Sequence, residues 1–183
     1  MPTLEIRRHS LRKYTGGSQL SQAGVELAAR VGQSMGDFAV VAASVVPRAR
    51  ETAVAMGYAV DFELVSLCST ENVYAELDTA RLWESQHPFA AIAGLIAEGG
   101  AYHRYAHSLA AMWRDLLTPL ADDERALVIG HSGELEIALT ACLPEADHRL
   151  WGDKFGHCEG ARISFEGGHR RFRTVEFLRV AAR

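Results

Sequence analysis

The chain has 183 residues, enough for one domain with a substantial core, and it reads as a single domain over 1–183. Its 48% hydrophobic and 23% charged residues exclude a disordered or fibrous chain, and its net charge of −4 excludes a general attraction to nucleic acid or to an anionic membrane. Any affinity for an anion must then come from locally placed arginines. The three cysteines, Cys68, Cys142 and Cys158, have no paired spacing and fit a reducing compartment better than a disulfide scaffold. Charges at Glu5, Arg7 and Arg8 interrupt the first residues too early for a signal-peptide apolar region. No stretch reaches the roughly 18 apolar residues of a membrane span, so the expected location is the cytoplasm.

In chain order, Thr3 to Arg8 reads as a strand and residues 10–19, with Gly16-Gly17-Ser18, as a loop. From Leu20 a helical spacing carries Leu27, Val31 and Met35 beside the small Gly24 and Ala28, with Ser21 as N-cap. Phe38 to Ser44 is an apolar run of strand length, suited to a strand covered on both faces. Pro47 opens a helix carrying Arg48, Thr52 and Met56. Tyr58 to Leu67 alternates loosely and reads as a further strand, whereas residues 68–87 give no clear pattern. Pro88 opens a helix over Phe89–Glu98 that Gly99-Gly100 stops, and a second helix runs from Ala101 to Leu117 before Pro119. Arg125 to Gly130 is the next buried strand and Glu134 to Cys142 the helix after it. Ala161–Glu166, Gly167-Gly168 and Phe172–Leu178 read as a β-hairpin. Strands alternating with helices imply an α/β layered, mostly parallel sheet with a C-terminal hairpin.

Arg8-His9 closes the first strand, Gly130-His131-Ser132-Gly133 closes a later one, and Ser44-Val-Val-Pro-Arg48-Ala-Arg-Glu-Thr52-Ala53 lies between them. In open α/β sheets ligands bind at that edge. Arginines and histidines gathered there without a metal-ligand set point to an anionic substrate, with phosphate first.

These residues resemble the histidine phosphatase superfamily, the phosphoglycerate mutase-like family. Its Arg-His-Gly stands here as Arg8-His9-Ser10, and its Leu-Thr-x-x-Gly helix start as Leu20-Ser21-Gln22-Ala23-Gly24. Its Ser-Pro-Leu-x-Arg-Ala-x-x-Thr-Ala stands as residues 44–53, and its second histidine as His131. The match spans residues 4 to about 140. The resemblance implies a three-layer αβα sandwich and a metal-independent phosphatase without a cofactor, acting on a phosphorylated small molecule or a phosphoprotein. It implies His9 as the nucleophile that becomes phosphohistidine, with Arg8, Arg48 and a protonated His131 stabilising the phosphoryl oxygens. Arg12 matches an arginine of the acid-phosphatase branch and is expected to touch the phosphate. Ser10, where the family has Gly, and Ser132, next to the second histidine, are further candidate substrate contacts. Glu71-Asn72-Val73-Tyr74 resembles the Asn-Glu-Arg-x-Tyr segment of the mutases, which puts Glu71 first as the acid that protonates the leaving oxygen. Glu76, Asp78 and Glu134 compete for that role. The short interval between Arg48 and His131 favours hydrolysis over mutase chemistry.

Two other functions compete. Gly130-His131-Ser132-Gly133-Glu134 approximates the Gly-x-Ser-x-Gly elbow of serine hydrolases, with Ser132 as nucleophile, but leaves Arg8 and Arg48 without a task. A non-catalytic phosphate-binding or scaffold module on the same fold would keep the cations and lack the acid. His87, His103, His107 and His148 read as surface residues. His103 and His107 share a helical face without a third metal ligand, and His157-Cys158 with His169 matches no standard zinc spacing.

Overall fold

The computed structural model describes residues 1–15, 17–68, 73, 75 and 82–181, with the backbone alone at Trp83. Among these, strands β1 (Thr3–Arg8), β2 (Val40–Ser44), β3 (Phe62–Leu64), β4 (Arg125–Gly130), β5 (Gly160–Glu166) and β6 (Arg171–Leu178) form one sheet. Their order is β3-β2-β4-β1-β5-β6. β1 and β2 both pair in parallel with β4, and β3 pairs in parallel with β2. β5 runs antiparallel to β1, and β6 antiparallel to β5. Helices α1 (Gln22–Gly32), α2 (Pro47–Ala55), α3 (Pro88–Glu98), α4 (Gly100–Leu117) and α5 (Glu134–Cys142) flank it. This is the mixed, mostly parallel, phosphoglycerate mutase-like arrangement with a C-terminal hairpin.

The continuous apolar runs are explained by burial on both faces. In β4, Ala126 and Val128 pack into a cluster with Phe89, Ile92, Leu109, Trp113 and Leu139 of α3, α4 and α5. Leu127 and Ile129 point the other way, onto Ala28, Ala49, Ala53 and Met56 of the α1–α2 layer. Alternation along the strand thus feeds two cores at once. Small residues set how near the second layer approaches. Ala49 and Ala53 are fully buried under β2 and β4.

Several boundaries differ from the sequence reading. The run from Phe38 becomes strand only at Val40, and Phe38 lies under the Arg125 guanidinium, 4.3 Å from its ring centroid. The strand expected over Tyr58–Leu67 shrinks to Phe62–Leu64, which pairs with Ala42–Ser44 and gives way to a 3-10 turn over Val65–Leu67. An outer strand paired on one side has little to hold it longer. His148, read as a surface residue, is buried, its ring 4.5 Å from that of Trp151. His87, His103 and His107 are exposed. No described helix is long and apolar enough to cross a membrane.

β1 also carries a buried ionic cluster on its α1–α2 face. Glu5 is fully buried and accepts from Arg7 (2.8 Å), Arg125 (2.8 Å) and Arg162 (2.9 Å). Arg7 is nearly as deep and also donates to the Cys158 carbonyl (3.0 Å). A buried charge that loses its partner is costly. Glu5→Ala is therefore expected to destabilise the fold by about 3–5 kcal/mol, read as a fall in the urea midpoint. An unchanged midpoint would show that this cluster holds nothing.

Candidate active site

Parallel pairing sets the site. Arg8 lies opposite Gly130 in the β1–β4 register, and the His9 amide donates to the Gly130 carbonyl at 2.9 Å. The residues that follow each strand therefore leave the sheet side by side. His9 and His131 meet with ring centroids 5.1 Å apart. Arg48, in the first turn of α2, reaches the same place from β2, its Nη2 3.2 Å from His131 Nδ1. Arg8, His9, Arg12, Arg48, His131, Ser132 and Glu134 all border one cavity of about 220 Å³.

Local sequence explains the scaffold. The Ser10 amide donates to Thr52 Oγ1 (2.9 Å), which itself donates to the Arg48 carbonyl (2.7 Å) and so fixes the first turn of α2. The Ser10 hydroxyl donates to the Gly24 carbonyl (2.7 Å). A Cβ at Gly24 would stand 2.2 Å from the Leu11 carbonyl oxygen, so only glycine lets α1 dock on the loop after His9. Ser21 caps α1 as expected, accepting from the Gly24 amide. Ser10 is fully buried, its amide and hydroxyl tied to α2 and α1, and it does not itself line the cavity.

The hydrogen bonds fix both imidazoles. His9 Nδ1 lies 2.7 Å from the Ser10 carbonyl, which can only accept, so Nδ1 carries the proton and Nε2 keeps its lone pair. His131 Nδ1 faces a guanidinium that can only donate, so its proton sits on Nε2, 2.9 Å from Ser44 Oγ. Burial pushes the His9 pKa down to about 3, helped by His131, Arg48 and Arg8 and opposed by the Ser10 carbonyl. Burial likewise takes His131 down to about 4, with Arg48, Arg8 and Arg12 adding to the fall. Both imidazoles are thereby kept uncharged at neutral pH, since three guanidinium groups leave little room for a further positive charge.

Arg8 is held by a relay that sequence reasoning missed. Glu136, fully buried, accepts from Ser132 Oγ (3.0 Å), the Gly133 amide (2.7 Å) and the Phe155 amide (2.8 Å). The Phe155 carbonyl in turn accepts from Arg8 Nη1 (2.7 Å). Arg8 Nε is buried and has no hydrogen-bond partner among the described residues, which leaves a donor for an incoming anion. His157 was also missed: its ring lies 5.8 Å from that of His9. Glu71, Glu76 and Asp78 lie outside the described residues. Of the four acid candidates, Glu134 is placed at the cavity, 3% exposed, as the first residue of α5. The Ser132 hydroxyl donates to Glu136 rather than to an imidazole, so the Ser–His pair of a serine hydrolase is not formed.

A larger cleft of about 530 Å³, bordered by Arg114, Arg171 and Cys142, holds none of these histidine–arginine pairs. Chemistry rather than size distinguishes the site. No group of three or more metal-ligating side chains occurs among the described residues.

No protein-family model and no curated protein sequence matches the chain. Solved structures do. A phosphoserine phosphatase from Entamoeba histolytica, in complex with 3-phosphoglyceric acid, superposes with a TM-score of 0.69 at 14% identity, covering 98% of each chain. A mycobacterial glucosyl-3-phosphoglycerate phosphatase, complexed with VO3, gives 0.69 at 18% identity over 98% of this chain and 99% of that one. Bacillus stearothermophilus YhfR gives 0.64 at 16% identity, covering 94% and 95%. Over nearly its whole length the chain has the fold of these three structures.

The imidazoles give the site a stability signature. Their folded pKa values, about 3 and about 4, lie below the ordinary value of 6.5, so the unfolded chain takes up protons first as pH falls. Stability should be full above pH 6.5 and decline as pH falls through 4 toward 3. His9→Asn removes one such group and should flatten the dependence of the urea midpoint on pH between 6 and 4. Equal slopes in the two proteins would contradict the burial and the lowered pKa given to His9.

Proposed function

We propose that the protein is a phosphatase that hydrolyses a phosphomonoester through a covalent phosphohistidine on His9. One observation carries this reading: Arg8, Arg48 and His131 border the same cavity as a His9 whose Nε2 is left bare by the Nδ1 bond to Ser10. The fold shared with a phosphoserine phosphatase and a glucosyl-3-phosphoglycerate phosphatase supports a small phosphorylated substrate.

In this mechanism His9 Nε2 attacks phosphorus in line with the leaving oxygen. The P–O bond breaks as the P–N bond forms. Arg8, Arg12 and Arg48 donate to the equatorial oxygens. The arriving dianion offsets their charge, so His131 takes up a proton and becomes a further donor. Glu134 gives its proton to the leaving alkoxide. Its carboxylate then accepts one from the water that attacks the phosphohistidine, releasing inorganic phosphate and restoring His9. Ser10 serves as scaffold through Gly24 and Thr52, and Ser132 through Glu136. The half-exposed Arg8, Arg48 and Ser132 leave the cavity open to water, in keeping with hydrolysis.

Turnover of p-nitrophenyl phosphate tests the reading. His9→Ala should abolish it and the acid-labile phosphoenzyme, and Arg48→Ala should lower kcat by about 10²–10³-fold. Activity that survives His9→Ala and disappears in Ser132→Ala would establish the serine hydrolase instead. Phosphate binding without turnover in the wild type would establish the binding module. The acid needs a poorer leaving group. Glu134→Gln should slow an alkyl phosphate by about 10²–10⁴-fold and barely affect the nitrophenyl ester, whose leaving group departs without a proton. The same selectivity in Glu71→Gln, absent from Glu134→Gln, would move the role to Glu71.

A further inference from the structure

The loop before β5 joins the core and the site, with Cys158 fully buried in the α1–α2 core. Cys158 adopts a left-handed backbone conformation, φ 59°, although it is neither glycine nor asparagine. Its neighbours hold it there. The Cys158 amide donates to the Arg8 carbonyl (3.1 Å), the Arg8 amide to the Glu159 carbonyl (2.8 Å), and Arg7 Nη1 to the Cys158 carbonyl (3.0 Å). The turn is thus clamped to the two residues that precede His9. Its effect is to carry the His157 ring to His9, edge against face at 63°, with 5.8 Å between centroids. His131 meets the same ring at 61° and 5.1 Å. Arg48 is bonded to His131, whereas the charges acting on His157 are those of Arg8 and Arg12. The His9 imidazole therefore touches two rings.

We infer that His157 is a positioning residue for His9: the strained Cys158 turn presses its ring against the His9 imidazole and keeps Nε2 aimed into the cavity. This rests on the reading of His9 as nucleophile. The bond to the Ser10 carbonyl is a single restraint on rotation about χ2, and a ring that broke it by turning would withdraw the lone pair from the line of attack. Two edge-on rings oppose that turn. The task needs a ring rather than a charge, and burial with Arg8 and Arg12 keeps His157 neutral, its pKa down to about 4. A neutral flank adds no repulsion when His9 becomes a cationic phosphoimidazole.

The test compares His157→Phe, which keeps a ring, with His157→Ala, which does not. In single-turnover phosphorylation of His9, His157→Ala should be slowed about 10–100-fold with KM little changed, and His157→Phe should retain most of the wild-type rate. Imidazole ¹⁵N NMR provides a measurement independent of activity. The His9 shifts should report one Nδ1–H tautomer in the wild type and in His157→Phe, and a tautomer mixture in His157→Ala. If wild-type His157→Ala comparisons show the same phosphorylation rate and the same His9 shifts, the inference is overturned. If the wild type shows no turnover at all, the phosphatase reading fails, and the NMR comparison alone decides whether His157 positions His9. A loss of rate in His157→Phe as large as in His157→Ala would also overturn it, because the ring would then not be what matters.

Discussion

The site depends on one constraint, the parallel pairing of β1 with β4 in a register that sets Arg8 opposite Gly130. A shift of one residue would turn Ile6 and Val128 toward the wrong layer, so the apolar alternation of both strands defends that register. Once it is set, His9 and His131 must emerge at the same sheet edge. The pairing of β2 with β4 then delivers Ser44 and the start of α2 beside them. A hydrophobic pattern far from any chemistry thus decides which polar groups meet.

What meets there is rich in guanidinium groups. Three arginines border the cavity with two imidazoles too depressed to be charged at neutral pH. One of these arginines, Arg48, stands in the first turn of α2, where the helix dipole opposes a cation. The cost is tolerated because the scaffold is over-determined. Thr52, Glu136 and the Phe155 carbonyl each hold a cation or its helix in place. A dianion would relieve the repulsion, supply an acceptor for Arg8 Nε and raise the proton affinity of His131 in a single step.

Much of this architecture could be read in the chain. The apolar runs at 40–44 and 125–130 marked doubly covered strands, Gly24 and Ser21 marked the start of α1, and the ordered Arg8-His9, Arg48 and His131 motifs marked one sheet edge. The parts that escaped share a physical reason: they depend on contacts between segments with no local signature. Nothing about Glu136 in a helical stretch announces that it will accept from the Phe155 amide. His157 lies in a loop whose direction is set by a left-handed Cys158, a conformation that residue type disfavours. Ser10 could have faced either a ligand or the scaffold until the position of the Gly24 carbonyl was known. His148 carried a surface residue's polarity into a buried contact with Trp151.

The same division explains how chains this different keep one fold. At 14–19% identity to the structures it superposes on, the fold is kept by chains that differ at most positions, as apolar alternation and small residues at close approaches allow. Those are requirements of packing, and many sequences meet them. The polar connections behind the site are more demanding, since each buried donor needs an acceptor in a fixed place. In this chain they hold Arg8, His9, Arg48 and His131 at one sheet edge. Here the Glu136–Phe155–Arg8 relay and the Cys158 turn are this chain's way of doing so.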